Sequence, residues 1–374
     1  MNRRKFLFFA VTGIILIAVF LRAWGVTHID NDYDEWICLE TSQNYASYIQ
    51  GLHLKHLVYY NTNHEHPIFV KLVYGVSLIG FPLKTVEYID LLNFPPDDPV
   101  ISQMQQRMRT VSAGFGVLAA ALLALINPLA GLLLAVHSFA VQFTSIAYLE
   151  AVPAFTSLLS MWAYDRWLKA QELAGTKPPL QHSSPGFIPG QKAAGGGIWR
   201  THRWLILSAV ALGLSAASKY VFAVAGIGIL LHHFYLTLKQ RRRVPQQAGL
   251  MLAWGLLALV VFFFADPYLW VKTASRLQQS LAFSVDFSQG ERVARFAYPF
   301  YQPLIWLLAP VSQQSHEAIP YLPGSFLIGL DLPIALLAAV GLPRLVRRRG
   351  PYAAWLLSAL VFLSAVPDYA LAVH

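Results

Sequence analysis

Apolar runs of bilayer length recur along nearly the whole of this sequence, and that pattern constrains the fold more than any motif does. A hydrocarbon core about 30 Å thick takes roughly 17 to 25 residues of helix to cross. The first run extends from Phe6 to about Trp24. Others follow at Thr110 to Ile126, Leu129 to Leu149, Ala151 to Trp167, Trp204 to Ala217, Tyr220 to about Leu236, Ala248 to Ala265, Gly324 to Gly341 and Tyr352 to Val366. Backbone in lipid must satisfy its own hydrogen bonds, so the expected architecture is an all-α polytopic bundle of about nine spans in one transmembrane domain, residues 1–374. Only 13% of the residues are charged, where a soluble domain has about a quarter. A water-soluble domain is excluded.

The formal net charge of +9 does not point to nucleic acid, because the basic residues lie in short runs that abut apolar segments: Arg3-Arg4-Lys5, Arg241-Arg242-Arg243 and Arg347-Arg348-Arg349. Such runs mark the cytoplasmic side. With the N-terminus cytoplasmic, the basic connections from Lys169 to Arg203, Lys239 to Arg243 and Arg344 to Arg349 all fall on that same side. The first of these (169–203) holds Pro-Pro and Gly-Gly-Gly and reads as a flexible loop. No small-residue cleavage site precedes Trp24-Gly25, so the first run is expected to stay as a helix and not to leave as a signal peptide. Residues 28–108 carry more acids than bases and form the first extracytoplasmic loop. Within it Pro67 to Phe81, interrupted by Lys71, suits a juxtamembrane helix at the interface. Residues 266–322, aromatic and Pro-rich, form a second outer segment. The expected location is a plasma (inner) membrane. The single cysteine, Cys38, allows no intrachain disulfide and reads as a small buried thiol.

Ionisable residues collect at the outer surface. Asp34 and Glu35 stand where a helix begins, capped by Asp32 or Asp34. One carboxylate there can accept a proton while the other orients it or binds a metal, or the pair is simply a capped helix start. In Asn63-His64-Glu65-His66-Pro67, with His53 and His56 upstream, alternation puts His64 and His66 on one face, suited to a metal, to phosphate as imidazolium, or to a solvated polar loop. Glu150 lies at the outer end of the third span, where an ionisable group is either functional or reaching water. Lys219, at an outer hairpin, opposes the positive-inside bias and can meet a phosphate or snorkel to headgroups. Tyr268 and Trp270, after Asp266-Pro267, offer aromatic faces to a sugar or to the interface. Asp331, inside the eighth span, has no evident role. No Walker loop, GxGxxG after a strand, zinc-finger spacing or GxSxG is present.

Taken in order, these features resemble the GT-C glycosyltransferases, and within them the polyprenyl- or dolichyl-phosphate-dependent group of protein O-mannosyltransferases and bacterial aminoarabinose transferases (family 39 type). The likeness rests on Asp34-Glu35-Trp36 opening the outer loop, with Tyr45 and Tyr48 in the helix that follows. It continues with His66-Pro67-Ile68-Phe69 before a juxtamembrane helix, Arg109 before a small-residue-rich span, Glu150 between the third and fourth spans, and Gly213-Leu214-Ser215-Ala216-Ala217-Ser218-Lys219-Tyr220. Together these elements cover residues 1 to about 310. The resemblance implies an inverting transfer of a sugar from a polyprenyl-phosphate donor to an acceptor of unstated class (protein, lipid or glycan) at the outer membrane face. It implies catalytic roles for Asp34, Glu35 and Glu150, with the donor phosphate held by Lys219, Arg109 and His66. No cofactor is required, although a divalent metal at Asp34, Glu150, His64 or His66 is compatible. The competing classes are a transporter, marked by discontinuous helices and polar midplane residues, and a non-catalytic subunit of a membrane complex.

Overall fold

The computed structural model describes residues 3–85, 87, 98–175, 197–240, 244–288 and 325–365. Among them helix is the only regular structure: α1 Arg3–His28, α2 Tyr33–Gln50, α3 Lys55–Tyr59, α4 Phe69–Ser77, α5 Pro99–Ile126, α6 Pro128–Val136, α7 Ser138–Ser145, α8 Ala151–Gly175, α9 Gly197–Ser218, α10 Val224–Lys239, α11 Val244–Ala265, α12 Thr273–Ser288, α13 Ser325–Arg348 and α14 Gly350–Ala365. Two 3-10 turns, Tyr220–Ala223 and Pro267–Trp270, join α9 to α10 and α11 to α12. The Arg241 to Arg243 run, the Gly-rich middle of the 169–203 loop and most of the second outer segment lie outside the described residues.

Four helices are long and apolar enough to cross a membrane: Lys5–His28, Pro99–Ile126, Tyr220–Lys239 and Val244–Ala265. This is a helical membrane protein with four such spans among the described residues, or five if α6 and α7 count together. The other expected spans also fall on helix. However, α8 carries Asp165, Arg166, Lys169 and Glu172 in its second half, and the apolar part of α14, Gly350–Phe362, is short. The run from Leu129 to Leu149, expected as one straight span, is instead two short helices bent by 65°. Asn127 caps the first of them, its side chain accepting from the Leu129 amide at 3.1 Å, and Pro128 occupies the first turn.

Arg22 of α1 compensates the break. Its Nε donates to Thr144 Oγ1 at 2.8 Å and its Nη1 to the Ala135 carbonyl at 3.2 Å, so one buried guanidinium grips both halves. Gly116 makes room, because a Cβ there would lie 2.5 Å from Arg22 Nε. Small residues also line the seam of α1, α5 and α6, where Ala18, Ala120, Ala124 and Ala135 are all fully covered.

A second hydrophobic cluster roofs the bundle at the end where the first loop folds. Leu39, Val70, Tyr74, Leu78, Met104 and Met108, each fully buried, join α2, α4 and α5 to the segment after α7. Burying each of the larger apolar side chains contributes about 1.5–3 kcal/mol relative to exposure. The juxtamembrane helix is therefore packed into the protein. Ile68, Lys71, Tyr74, Gly75 and Leu78 form its inward stripe at helical spacing.

Candidate functional site

The first loop enters this roof through a capping box. The Asp32 side chain accepts from the Asp34 amide at 3.0 Å, and the Glu35 carboxylate reaches back to the Asp32 amide at 3.2 Å. Successive helical residues differ by about 100° in direction, so the two neighbouring acids diverge. Glu35 turns inward and is fully buried. It accepts from Arg109 Nε at 2.8 Å and Nη2 at 2.5 Å, and from the Ala147 amide at 2.7 Å. Arg109 spends its remaining donors on the carbonyls of Val26, Ile29 and Asp30 and on Asn31 Oδ1, at 2.8–3.1 Å. Glu35 thus lies in the protein interior, and the Arg109 donors are engaged by protein groups.

Asp34 points the other way, half-buried, and its Oδ2 accepts from the Tyr148 hydroxyl at 2.5 Å. Tyr148 sits in the irregular segment between α7 and α8, and the Tyr74 hydroxyl donates to its carbonyl at 2.5 Å. Two residues further on, Glu150 Oε1 pairs with Lys219 Nζ at 2.5 Å, their side chains 14% and 8% exposed. Lys219 stands in extended backbone at the break between α9 and the following 3-10 turn, which aims its stem back at α8. Burial raises the Glu150 pKa, Lys219 pulls it back down, and the Asp34 charge pushes it up again. Asp34, Glu150 and Lys219 therefore occupy one neighbourhood, although they come from three separate parts of the chain. Among the described residues Lys219 Nζ reaches only one acceptor, and Glu150 Oε2 reaches no donor.

His66 borders the same neighbourhood, and its pKa is driven well below the usual value by burial and then by the Lys219 and Lys71 ammoniums. That direction favours the neutral ring over the imidazolium that could have met a phosphate. His64 has separated from it and packs edge-on against Phe283 at 5.5 Å. Among the described residues no three of His, Cys, Asp and Glu gather as a metal ion would require, so the compatible metal set of Asp34, Glu150, His64 and His66 does not assemble. Cys38 is buried as expected, with its thiol pushed far up by burial.

Two further residues, to which the sequence alone assigns no role, stand out. Lys71 is completely buried, and its Nζ donates to Asn61 Oδ1 at 2.8 Å, the Asn63 carbonyl at 2.6 Å and the His66 carbonyl at 3.4 Å, which staples the loop bearing His66. Burial brings its pKa down to about 8. Its place in the inward stripe of α4 was the available signal. Asp266, just past α11, is 1% exposed, and its carboxyl is pushed up to about 7 by burial, with Lys71 and the Tyr268 and Ile68 amides opposing. The neighbouring aromatics are less free than their sequence suggested. The Arg276 guanidinium covers the Tyr268 ring at 4.1 Å, and Trp270, 46% exposed, donates its Nε1 to the Phe263 carbonyl at 2.8 Å.

The chemistry available is that of a partly buried, mixed-charge cradle: a half-buried carboxylate held by a tyrosine, a lysine with spare donors held by a glutamate, and a histidine beside them. Compared with models of known protein families, with curated proteins and with solved structures, the chain matches none of them.

Proposed function

We propose that this chain is an inverting glycosyltransferase of the GT-C kind that moves a sugar from a polyprenyl-phosphate donor to an acceptor at the extracytoplasmic face of a plasma (inner) membrane. The observation that carries the reading is the buried Lys219–Glu150 pair beside Asp34, with hydrogen-bonding capacity left unused on both Lys219 Nζ and Glu150 Oε2. A folded interior leaves few such groups incomplete, and a bound ligand is one partner that would complete them. A phosphate oxygen suits the ammonium, and a sugar hydroxyl suits the carboxylate.

In the proposed step Asp34 accepts the proton of the acceptor hydroxyl. That oxygen bonds to the anomeric carbon on the face opposite the phosphate, the bond from anomeric carbon to phosphate oxygen breaks, and polyprenyl phosphate leaves with the electron pair. Lys219 stabilises the growing charge on the leaving oxygen. Glu150 fixes the direction of Lys219, and Tyr148 fixes that of Asp34. Neutral His66 serves as a hydrogen-bonding neighbour of the phosphate, and Arg109 and Glu35 take no part in the chemistry. Each buried CH₂ of an isoprenoid tail contributes about 0.8 kcal/mol of membrane affinity, so the donor reaches the site laterally from the lipid.

The test is the purified protein in liposomes supplied with polyprenyl-phosphate sugars or nucleotide sugars and a panel of hydroxyl acceptors. Transfer is expected from the lipid-linked donors alone, and Asp34→Asn should reduce it by about 10² to 10⁴-fold. Transfer from a nucleotide sugar in lipid free of polyprenyl phosphate would refute the proposal. A transporter is the second reading, favoured by the bent α6–α7 pair. It predicts solute flux in the same liposomes without bond cleavage.

A further inference from the structure

Asp266 is the most deeply buried acid near the site after Glu35. Among the described residues its Oδ1 has no hydrogen-bond partner. Its neighbours explain what is missing. Lys71 and Arg276 both act on the carboxyl as positive charges, so counter-charge is already supplied. Lys71 has given its hydrogens to Asn61, Asn63 and His66, and Arg276 Nη1 donates to the carbonyls of Val58 and Tyr268. The nearby phenols are engaged as well. Tyr45 donates to the Tyr60 carbonyl at 2.7 Å, and the Tyr220 hydroxyl is hydrogen-bonded with Ser280. The Tyr268 and Ile68 amides serve the carboxyl, yet among the described residues Oδ1 is left without a donor, and the Tyr45 and Tyr220 side chains share its surroundings, so the missing partner is a neutral donor from outside the chain. Hydroxyl hydrogens over aromatic carbon are the chemistry of a carbohydrate.

We propose that Asp266 reads the sugar: its free Oδ1 accepts a hydrogen bond from one hydroxyl of the bound glycosyl group and so selects which sugar the site takes. The proposal rests on the transferase reading for the identity of the ligand. It goes beyond that reading in assigning recognition to Asp266 in place of the Tyr268 and Trp270 faces that the sequence suggested. A site that hydrogen-bonds a hydroxyl discriminates sharply against the analogue lacking it, because the buried acceptor is then left unpaired.

The experiment uses the full chain in lipid nanodiscs, with a farnesyl-phosphate-linked hexose and its monodeoxy analogues as probes, and affinity measured by calorimetry. Removing one particular hydroxyl should weaken binding on the order of ten- to a hundred-fold, and removing the others far less. Asp266→Leu should lose a similar factor with the intact compound and lose nothing further when that same hydroxyl is removed. The deoxy series on the unmutated protein keeps the test open should the variant fold poorly. A flat profile across the hydroxyls, an undiminished hydroxyl effect in Asp266→Leu, or no binding of the intact compound would each overturn the proposal. Turnover is followed in parallel to separate the two ideas. Turnover with a flat profile sinks the role of Asp266 and leaves the transferase standing, whereas selective binding without turnover does the reverse.

Discussion

Glu35 and Asp34 are adjacent in sequence, and the structure assigns them opposite consequences when neutralised. In Glu35→Gln the shape is kept and the charge is lost. Glu35 Oε1 serves Arg109 Nε and the Ala147 amide, and Oε2 serves Arg109 Nη2 and the Asp32 amide. Whichever way a glutamine amide is turned, its NH₂ therefore confronts donors at one of these two positions. Arg109 is simultaneously left as a buried cation without its counter-ion. Breaking a buried pair from one side costs about 3–5 kcal/mol, a large part of the 5–15 kcal/mol that holds a typical domain together. Asp34→Asn disturbs the one side-chain bond from the Tyr148 hydroxyl and should cost no more than about 0.5–1.5 kcal/mol. Reversible unfolding in mixed detergent micelles, followed by tryptophan fluorescence, measures both. Replacing the two partners together, Glu35→Leu with Arg109→Leu, should recover part of the loss and give a coupling energy of about 2 kcal/mol or more. If Glu35→Gln kept its stability to within about 1 kcal/mol while abolishing transfer, Glu35 would be a catalytic group and the separation argued here would be wrong.

Two further perturbations read the packing and the electrostatics. Gly131→Ala should destabilise by about 1–3 kcal/mol, because its Cβ would stand 2.5 Å from the Ala124 backbone nitrogen, which has no side-chain freedom with which to yield; unaltered unfolding of the variant would show that α5 and α6 are not so closely apposed. For Asp266, a folded pKa of about 7, raised from 3.8, means the native state holds a proton that the unfolded chain has released. Its stabilising contribution is present below about pH 4 and is lost as pH rises through 7, by up to roughly 4 kcal/mol. Asp266→Asn should therefore gain on the unmutated protein between pH 4 and 8, and parallel stability curves over that range would refute the assignment.

What was legible in the sequence follows physical lines. The helical membrane class, the Asp32 cap, the Asn127-Pro128 turn and the burial of Cys38 depend on local composition or short spacing, and all are present. That Glu150 finds Lys219, 69 positions away, is a tertiary fact that no spacing announces. The division of labour between Asp34 and Glu35 was invisible for a related reason: adjacency in sequence says nothing about which carboxylate faces the interior. The Leu129 to Leu149 run was misread because hydropathy sums over residues and carries no direction, so two short helices at 65° score as one straight span. Lys71 and Arg22 are signals the sequence does carry. Each is a cation in an apolar stretch, and each proves to be a buried brace for irregular backbone.

Those braces explain how a precise site can be carried by the least regular part of the fold. Backbone that leaves helical geometry near lipid must have its polar groups satisfied by the protein, and the segment from α6 to α8 is served from three directions. Arg22 holds the break through Ala135 and Thr144, Glu35 takes the Ala147 amide, and Tyr74 donates to the Tyr148 carbonyl. Glu35 is itself fixed by Arg109, which also ties down the turn after α1 at Val26, Ile29 and Asp30. The two site residues of this segment, Tyr148 and Glu150, are thus clamped at the level of their backbone, while their side chains remain free to meet Asp34 and Lys219. A functional constellation must be held to within about 0.5 Å, and in this segment two buried arginines, Arg22 and Arg109, hold the backbone that carries the candidate residues. Irregular backbone buttressed in this way can present an acid, a phenol and a cation side by side, which a straight helix, spacing its residues by 1.5 Å of rise and 100° of turn, cannot do from consecutive positions.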